Sequence, residues 1–127
     1  MMTQALQTED DIYIAISMIK HLMNDLPFSE SEAQCIFVSV MEITRNALIH
    51  GGGAGHFLCK KIDGGICFIV KDQGPGIPHL KAIWEGKYKS DSGLGLGLSG
   101  TKRLMDELHI ETSEKGTKVI AIKRYIG

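Results

Sequence analysis

The sequence predicts an α/β protein of the α+β type: a two-layer sandwich in which helices cover one face of a mixed, mostly antiparallel sheet. Two long segments with apolar residues at three- and four-residue spacing come first, which is the period of amphipathic helices. Short apolar segments joined by glycine-containing turns then dominate, as in antiparallel hairpins. A length of 127 residues with a hydrophobic fraction of 43% is enough for one core, so residues 1–127 are expected to form a single domain.

The two long segments have recognisable beginnings and ends. Residues 9–25 carry apolar side chains on one helical face, and Pro27 ends that helix. The segment Ser29–Glu32 has the form of a capping box, with Phe28 before it as a hydrophobic staple. A second helix is therefore expected from this box to about His50.

The remaining predicted elements are shorter. Turn residues at Asp63–Gly65 and Glu114–Gly116 join two pairs of strands into hairpins. The strands are predicted at residues 56–62, 66–71, 108–113 and 117–125. Helices are predicted at residues 77–85 and 98–107, with a loop at 86–96 between them.

Composition argues against several classes of protein. A net charge of −1 is unlike that of a broad nucleic-acid binder, which carries a basic excess. No apolar run approaches the roughly 20 residues that cross a bilayer, and the polar first residues have no signal-peptide pattern. Cys35, Cys59 and Cys67 are odd in number, lack CxxC spacing and lie in apolar segments, which favours buried thiols in a reducing compartment. The expected location is the cytoplasm, with neither a membrane nor a nucleic acid as partner.

The first of three candidate sites lies on the second predicted helix. Glu42 and Asn46 are four residues apart and project from one face, flanked by Arg45 and His50. A solvated stripe on a surface helix would have the same spacing. The run Gly51–Gly53 directly after the helix favours a ligand site, because bare backbone leaves space beside the last turn.

The second candidate is the segment Asp72–Pro78, which follows an apolar predicted strand. A carboxylate at the end of a buried strand needs a hydrogen-bond donor, and Gly74 and Gly76 let the backbone approach a ligand closely. This arrangement suits the exocyclic amine of a purine ring. An ordinary turn remains the alternative, since Asp, Gly and Pro are all favoured in turns.

The third candidate is a glycine-rich segment before the last predicted helix. Gly93, Gly95 and Gly97 would expose backbone N–H groups beside a helix N-terminus, an arrangement that binds phosphate. Gly95, Gly97 and Gly100 also match GxGxxG, but a dinucleotide fold needs a hydrophobic strand before that motif, and the preceding residues are polar. The remaining alternative is a flexible lid without a ligand.

Together the three candidates resemble a known set of motifs. They are similar to the N box and the two glycine boxes of the GHKL ATP-binding superfamily, here Glu42-x-x-x-Asn46, Asp72-x-Gly74-x-Gly76 and Gly93-x-Gly95-x-Gly97. Within it the chain is most similar to the anti-sigma-factor serine/threonine kinases, the small switch kinases of the RsbT type. Similar stretches include Lys102–Glu107 and Val119–Lys123, and the likeness covers nearly the whole chain.

The resemblance implies the Bergerat form of the two-layer sandwich, with ATP and Mg²⁺ bound between the helices and the glycine-rich lid. Asp72 would accept the adenine amino group with support from Thr117. Gly74 and Gly76 would line the base. Asn46 would ligate Mg²⁺, and the phosphates would be wrapped by backbone at Gly93, Gly95 and Gly97.

The resemblance also implies a catalytic role for Glu42, which would orient and activate the attacking serine or threonine hydroxyl. A cation at the γ-phosphate is needed as well, and four residues remain candidates for it: Lys87, Lys89, Arg45 and Lys102.

Two functions follow from the resemblance. One is an ATP-dependent serine/threonine protein kinase that phosphorylates a STAS-domain anti-sigma-factor antagonist and so regulates a sigma-factor or stress-signalling pathway. The other is a nucleotide-gated switch that binds a sigma factor, a phosphatase or another partner without significant kinase activity. A detached histidine-kinase domain is disfavoured, because Met41 stands where the histidine paired with the N-box glutamate is usual.

Overall fold

The structure is a computed structural model that describes residues 1–50, 54–74 and 100–125. Those residues contain five strands and two long helices. In chain order the elements are β1 (Met2–Leu6), α1 (Glu9–Met23), α2 (Glu30–His50), β2 (Gly55–Ile62), β3 (Gly65–Asp72), β4 (Glu107–Ser113) and β5 (Gly116–Arg124). Residues 100–104 are also helical.

The strands form one sheet in the order β1-β2-β3-β5-β4. All four pairings between them are antiparallel. Both predicted hairpins are confirmed, as β2–β3 and β4–β5, and Gly64 turns the first of them with a φ of 74°. The predicted fold class is therefore confirmed, with β3 at the centre of the sheet.

The two long helices pack on one face of this sheet. In β3 the alternate residues Ile66, Phe68 and Val70 are at most 2% exposed and belong to the same cluster as the buried faces of the helices. From α2 the cluster takes Ile36, Val40, Ile43 and Ala47, and from α1 it takes Ala15, Ile19 and Met23. Burial of a side chain of this size contributes about 1.5–3 kcal/mol, so α2 is held firmly over β3.

The start of α2 confirms the predicted capping box. The backbone N–H of Glu32 donates to Ser29 Oγ at 3.1 Å, and the backbone N–H of Ser29 donates to Glu32 Oε1 at 2.8 Å. These bonds satisfy two N–H groups that a helix N-terminus otherwise leaves without partners. The helix runs on to His50, as the sequence predicts.

A carboxylate also holds the start of α1. Asp11 Oδ2 accepts the backbone N–H groups of Gln7 at 2.8 Å and Thr8 at 3.0 Å. Because hydrogen bonds to the ionised form favour it, they lower the pKa of Asp11.

One strand was not predicted from the sequence, and one expectation about an element is wrong. The polar N-terminal segment contains β1, which pairs along its whole length with β2 and buries Leu6 completely. The last predicted helix ends at residue 104 rather than 107, because the backbone N–H of Asp106 donates to the Ile122 carbonyl at 3.0 Å and Glu107 begins β4. The predicted helix at 77–85 and loop at 86–96 lie outside the described residues.

Two of the three cysteines are buried as expected, and the third is half-buried. Cys59 and Cys67 lie inside the sheet region at 1% and 4% exposure, whereas Cys35 on α2 is partly accessible. Burial raises the pKa of the Cys59 thiol to about 11 and also raises that of Cys67. Within the described ranges, no helix combines the length and the apolar character needed to cross a membrane.

Candidate functional site

One row of residues at the end of the sheet brings the predicted adenine-binding residues together. Gly55, Asp72, Thr117 and Thr112 stand directly opposite one another across β2, β3, β5 and β4. Since side chains alternate along a strand, this row lies on the same face as buried Val70, two residues before Asp72. The helix-covered face of the sheet therefore changes at this end from an apolar core to a polar row.

Asp72 is held in place by the chain that follows it. The backbone N–H of Gly74 donates to Asp72 Oδ1 at 3.0 Å, which closes a tight turn at the end of β3. The side chain remains only partly exposed. An ionised carboxylate has about four acceptor sites, so Asp72 keeps capacity to accept a further donor such as an amino group.

Thr117 is the neighbour of Asp72 in the row, as the resemblance implies for a supporting residue. Thr117 is 7% exposed, and its hydroxyl shares a 2.9 Å hydrogen bond with the hydroxyl of Thr112 on β4. That bond restricts the rotation of both hydroxyl groups and links β4 to β5 within the polar row.

Two glycines that the sequence analysis did not single out make room for this row. Gly116 has a φ of 147°, and a Cβ there would overlap the carbonyl oxygen of Asp72 and lie 3.2 Å from Gln73 Cα. A Cβ on Gly55 would lie 2.6 Å from the carbonyl oxygen of Lys71. Both positions need glycine because backbone passes where a side chain would stand.

The predicted catalytic and metal-binding pair lies on α2. Glu42 and Asn46 are both partly exposed, one turn apart on the same side of the helix. Ile43 and Ala47, which follow Glu42 and Asn46 in the chain, are buried and belong to the same core cluster as Val70. Because α2 packs on β3, Glu42 and Asn46 are held in the helical layer that covers the sheet. Strand β3, at the centre of that sheet, ends at Asp72.

The side-chain amide of Asn46 has a buried donor without an acceptor among the described residues. Its Nδ2 atom is buried and has no hydrogen-bond partner within the described part of the chain. A buried amide nitrogen without an acceptor is costly, and phosphate oxygens would supply one. The amide oxygen of the same side chain is a suitable ligand for Mg²⁺, so the residues present fit a Mg²⁺–phosphate group.

The candidate cations are only partly placed. Arg45 lies 3.9 Å from Glu9 of α1, with 36% of its side chain exposed. Lys102 is exposed on the helical segment 100–104. Lys87 and Lys89 lie outside the described residues.

The rest of the predicted site also falls outside the described residues. These positions are Gly76, Gly93, Gly95 and Gly97, the glycines at 51–53 and the side chain of His50. The described part of the chain therefore brings together Asp72, Gly74 and Thr117 in one cluster and Glu42 with Asn46 on α2.

A cavity of about 340 Å³ borders the polar row at the β4–β5 turn. Its lining joins residues of the row to residues of the turn and of the opposite sheet face, namely Lys71, Asp72, Glu111, Thr112, Ser113, Lys115, Gly116, Thr117 and Lys118. The volume is near the lower limit for small-molecule sites. Asp72 and Thr117 therefore border open space as well as the core.

Comparison of the sequence with known proteins gives one family and two curated relatives. Residues 7–123 match the family model described as histidine kinase-like ATPase domain. The chain is 33% identical over 122 residues to serine/threonine-protein kinase RsbT of Bacillus subtilis (strain 168), an alignment that covers 93% of this chain and 92% of the relative. It is 34% identical over 95 residues to anti-sigma F factor of Clostridium novyi (strain NT), covering 68% of this chain and 66% of that protein.

Solved structures share the fold at low sequence identity. The RsbU and RsbW domains of Rv1364c from Mycobacterium tuberculosis match with a TM-score of 0.66 and 15% identity, over all of this chain and 35% of that one. The histidine kinase domain of the blue-light activated histidine kinase from Erythrobacter litoralis EL346 matches with a TM-score of 0.61 and 20% identity, over 91% of this chain and 63% of that one. These matches agree with the two-layer arrangement of helices on an antiparallel sheet.

Proposed function

The chain belongs to the histidine kinase-like ATPase domain family, which implies that it binds ATP, and on that premise we propose that it is a serine/threonine protein kinase. The proposed substrate is a STAS-domain protein of a partner-switching pathway that controls a sigma factor or a stress response. The name of the Bacillus subtilis relative, a serine/threonine-protein kinase that matches over 93% of this chain, is the observation that carries the proposal.

The polar row is the proposed adenine site. Asp72, with one oxygen already bonded to the Gly74 N–H, accepts the exocyclic amino group of adenine with its remaining capacity. Thr117 lies beside Asp72 and is itself held by Thr112. Gly76 lines the base, and the backbone at Gly93, Gly95 and Gly97 wraps the phosphates.

Asn46 is the proposed ligand of Mg²⁺ through its amide oxygen. When bound, Mg²⁺ neutralises charge on the phosphates. The unpartnered Nδ2 of Asn46 would then donate a hydrogen bond to a phosphate oxygen. This orphaned donor is the feature of the described structure that supports a phosphate group beside α2.

Glu42 is the proposed general base. The acceptor hydroxyl oxygen forms a bond to the γ-phosphorus while the bond from that phosphorus to the bridging oxygen of ADP breaks. The hydroxyl proton passes to the Glu42 carboxylate, and ADP is the leaving group. Phosphoryl transfer depends mainly on positioning and charge neutralisation. Glu42 is partly exposed, so a hydroxyl carried by another protein can approach it.

A binding switch is the second candidate function. It is favoured by the similarity to an anti-sigma F factor over 68% of this chain. In that function the nucleotide state controls the affinity for a sigma factor or a phosphatase, and little phosphate is transferred.

Incubation with γ-labelled ATP and each STAS protein encoded near this one separates the two functions. The kinase proposal predicts phosphoserine or phosphothreonine on one STAS protein. Label that appears only as free phosphate, or a partner that binds without being labelled, would instead support the switch. A STAS protein with its acceptor hydroxyl replaced by alanine is the control for non-specific labelling.

A further inference from the structure

The exposed large hydrophobic side chains are concentrated on the two long helices. Five such residues occur within the described part of the chain, and all except Met1 lie on α1 or α2. They are Tyr13 and Ile14 on α1, exposed by 57% and 44%, and Val38 and Ile49 on α2, exposed by 38% and 63%. Three of them, Tyr13, Val38 and Ile49, are called the helical patch below, because Ile14 lies about 100° around α1 from Tyr13.

The part of the patch on α2 surrounds the proposed general base. At about 100° per residue, Val38, Glu42 and Ile49 fall within roughly 40° of one another around the helix. Val38 is one turn before Glu42, and Ile49 is about two turns after it. Arg45, at i+3 from Glu42, falls in the same stripe, with 36% of its side chain exposed. The Glu42 carboxylate therefore lies between two exposed apolar side chains about 16 Å apart along the helix axis, with one arginine beside it.

The part of the patch on α1 continues this surface sideways. The two helices run antiparallel, since Glu9 reaches Arg45 at 3.9 Å and Lys20 lies 5.1 Å from the ring centroid of Phe37. Tyr13 occupies the same stripe of α1 as these two contacts, at i+4 from Glu9. It therefore lies along the seam between the helices, next to the stripe of α2.

Carboxylates outnumber cations at one end of the patch, where Arg45 lies 3.9 Å from Glu9. Exposed Glu9 and Asp10 begin α1, with the Glu9 side chain 75% exposed, and Glu42 adds a third carboxylate within the surface. A protein with an apolar contact surface and a basic rim would complement these charges.

We propose that the helical patch is the docking surface for the phosphoacceptor protein, whose serine or threonine must approach Glu42. This inference rests on the proposed kinase function and names the surface that its substrate uses. An acceptor hydroxyl must come within about 3 Å of the base, so a folded substrate necessarily covers the surface around Glu42. A second copy of this chain seated on the patch would instead block Glu42.

The test uses uncharged substitutions, so that the electrostatic surroundings of Glu42 stay the same. The double variant Val38→Gln, Ile49→Gln removes apolar contact on both sides of the base while keeping good helix formers at exposed positions. The control is His56→Gln, at an exposed position of β2 next to core-facing Phe57 and so on the sheet face away from the helices. The measurements are KM and kcat for the STAS substrate, the Kd for ATP, the thermal midpoint and the mass in solution.

The proposal predicts that the double variant raises KM for the protein substrate about tenfold or more, with kcat within about twofold of wild type. The Kd for ATP and the thermal midpoint should match those of wild type, and His56→Gln should change nothing. An unchanged KM would overturn the proposal. So would a wild-type dimer that the double variant dissociates, because the patch would then be occupied by a second copy.

Direct binding separates failure of this inference from failure of the kinase proposal. Calorimetry measures binding of the STAS protein in the presence of a non-hydrolysable ATP analogue. If the wild-type chain binds that protein without phosphorylating it, the kinase proposal is wrong. The docking surface then stands if the double variant binds at least tenfold more weakly, and it falls if binding is unchanged or if the wild-type chain does not bind.

Discussion

Substitution of Gly116 by alanine should displace the backbone that carries the polar row. The new Cβ would overlap the carbonyl oxygen of Asp72 and lie 3.2 Å from Gln73 Cα, so the β5 rung opposite Asp72 has to move. A non-glycine residue at a φ of 147° also costs about 1–3 kcal/mol of folding free energy. We therefore expect Gly116→Ala to lower both stability and ATP affinity.

The expected loss of ATP affinity follows from the free energy of the hydrogen bond that Asp72 is proposed to accept from adenine. A hydrogen bond to a charged group contributes about 1.5–3 kcal/mol. If displacement of the backbone costs half or more of that bond, affinity for ATP falls roughly threefold to 140-fold, since 1.4 kcal/mol is a factor of ten. Titration calorimetry with Mg-ATP measures this change, and urea unfolding measures stability.

Gly64→Ala is the matched control. Gly64 also has a positive φ, of 74°, but a Cβ there meets nothing within 4 Å, and the residue lies in the β2–β3 turn at the far end of the hairpin from Asp72. It should lose about 1–2 kcal/mol of stability and keep wild-type ATP affinity. The reasoning is refuted if Gly116→Ala binds ATP as wild type does, or if both variants lose affinity equally.

Three further predictions concern other residues. Asp72→Asn should weaken ATP binding by about 1.5–3 kcal/mol, and calorimetry that shows unchanged affinity would remove Asp72 from the adenine site. Asp11 has a pKa below its ordinary value of 3.8 because backbone N–H groups donate to it, so it stabilises the folded chain above that value, and the stabilisation is lost as the pH falls through the lowered pKa. The urea midpoint of wild type should therefore exceed that of Asp11→Asn at pH 6, and the difference should shrink as the pH falls below 3.8, whereas a constant difference would contradict this. In the folded protein iodoacetamide at pH 8 should modify Cys35 well before Cys59, whose pKa is about 11, and equal rates measured by peptide mass mapping would be evidence against the burial of Cys59.

The elements that were predicted correctly carry their signal in local spacing. The helical face of residues 9–25 and the Ser29–Glu32 capping box depend on neighbours within one or two turns, so the sequence suffices to place α1 and α2. The turn residues Asp63–Gly65 likewise predict the β2–β3 hairpin from local sequence. β1 has no such signal: it is a five-residue edge strand, and its partner β2 lies about fifty residues later in the chain.

The site shows the same division between local and long-range information. Glu42 and Asn46 share a helical face by spacing alone, and Asp72 with Gly74 forms a local turn. The need for glycine at Gly116 comes from the register that puts β5 against Asp72, which no spacing within β5 reveals. The unpartnered Asn46 amide likewise depends on the packing of α2 on the sheet.

We propose that the polar row binds the adenine of ATP and that Glu42 on α2 accepts the proton of the hydroxyl that attacks the γ-phosphorus. Single-turnover transfer from Mg-ATP to the STAS substrate by Glu42→Ala tests it most directly, with Glu30→Ala on the exposed first turn of α2 as the control. We predict that Glu42→Ala binds ATP with nearly wild-type affinity and transfers no detectable phosphate, while Glu30→Ala transfers at the wild-type rate. Transfer by Glu42→Ala at the wild-type rate would contradict the assignment of Glu42 as the base.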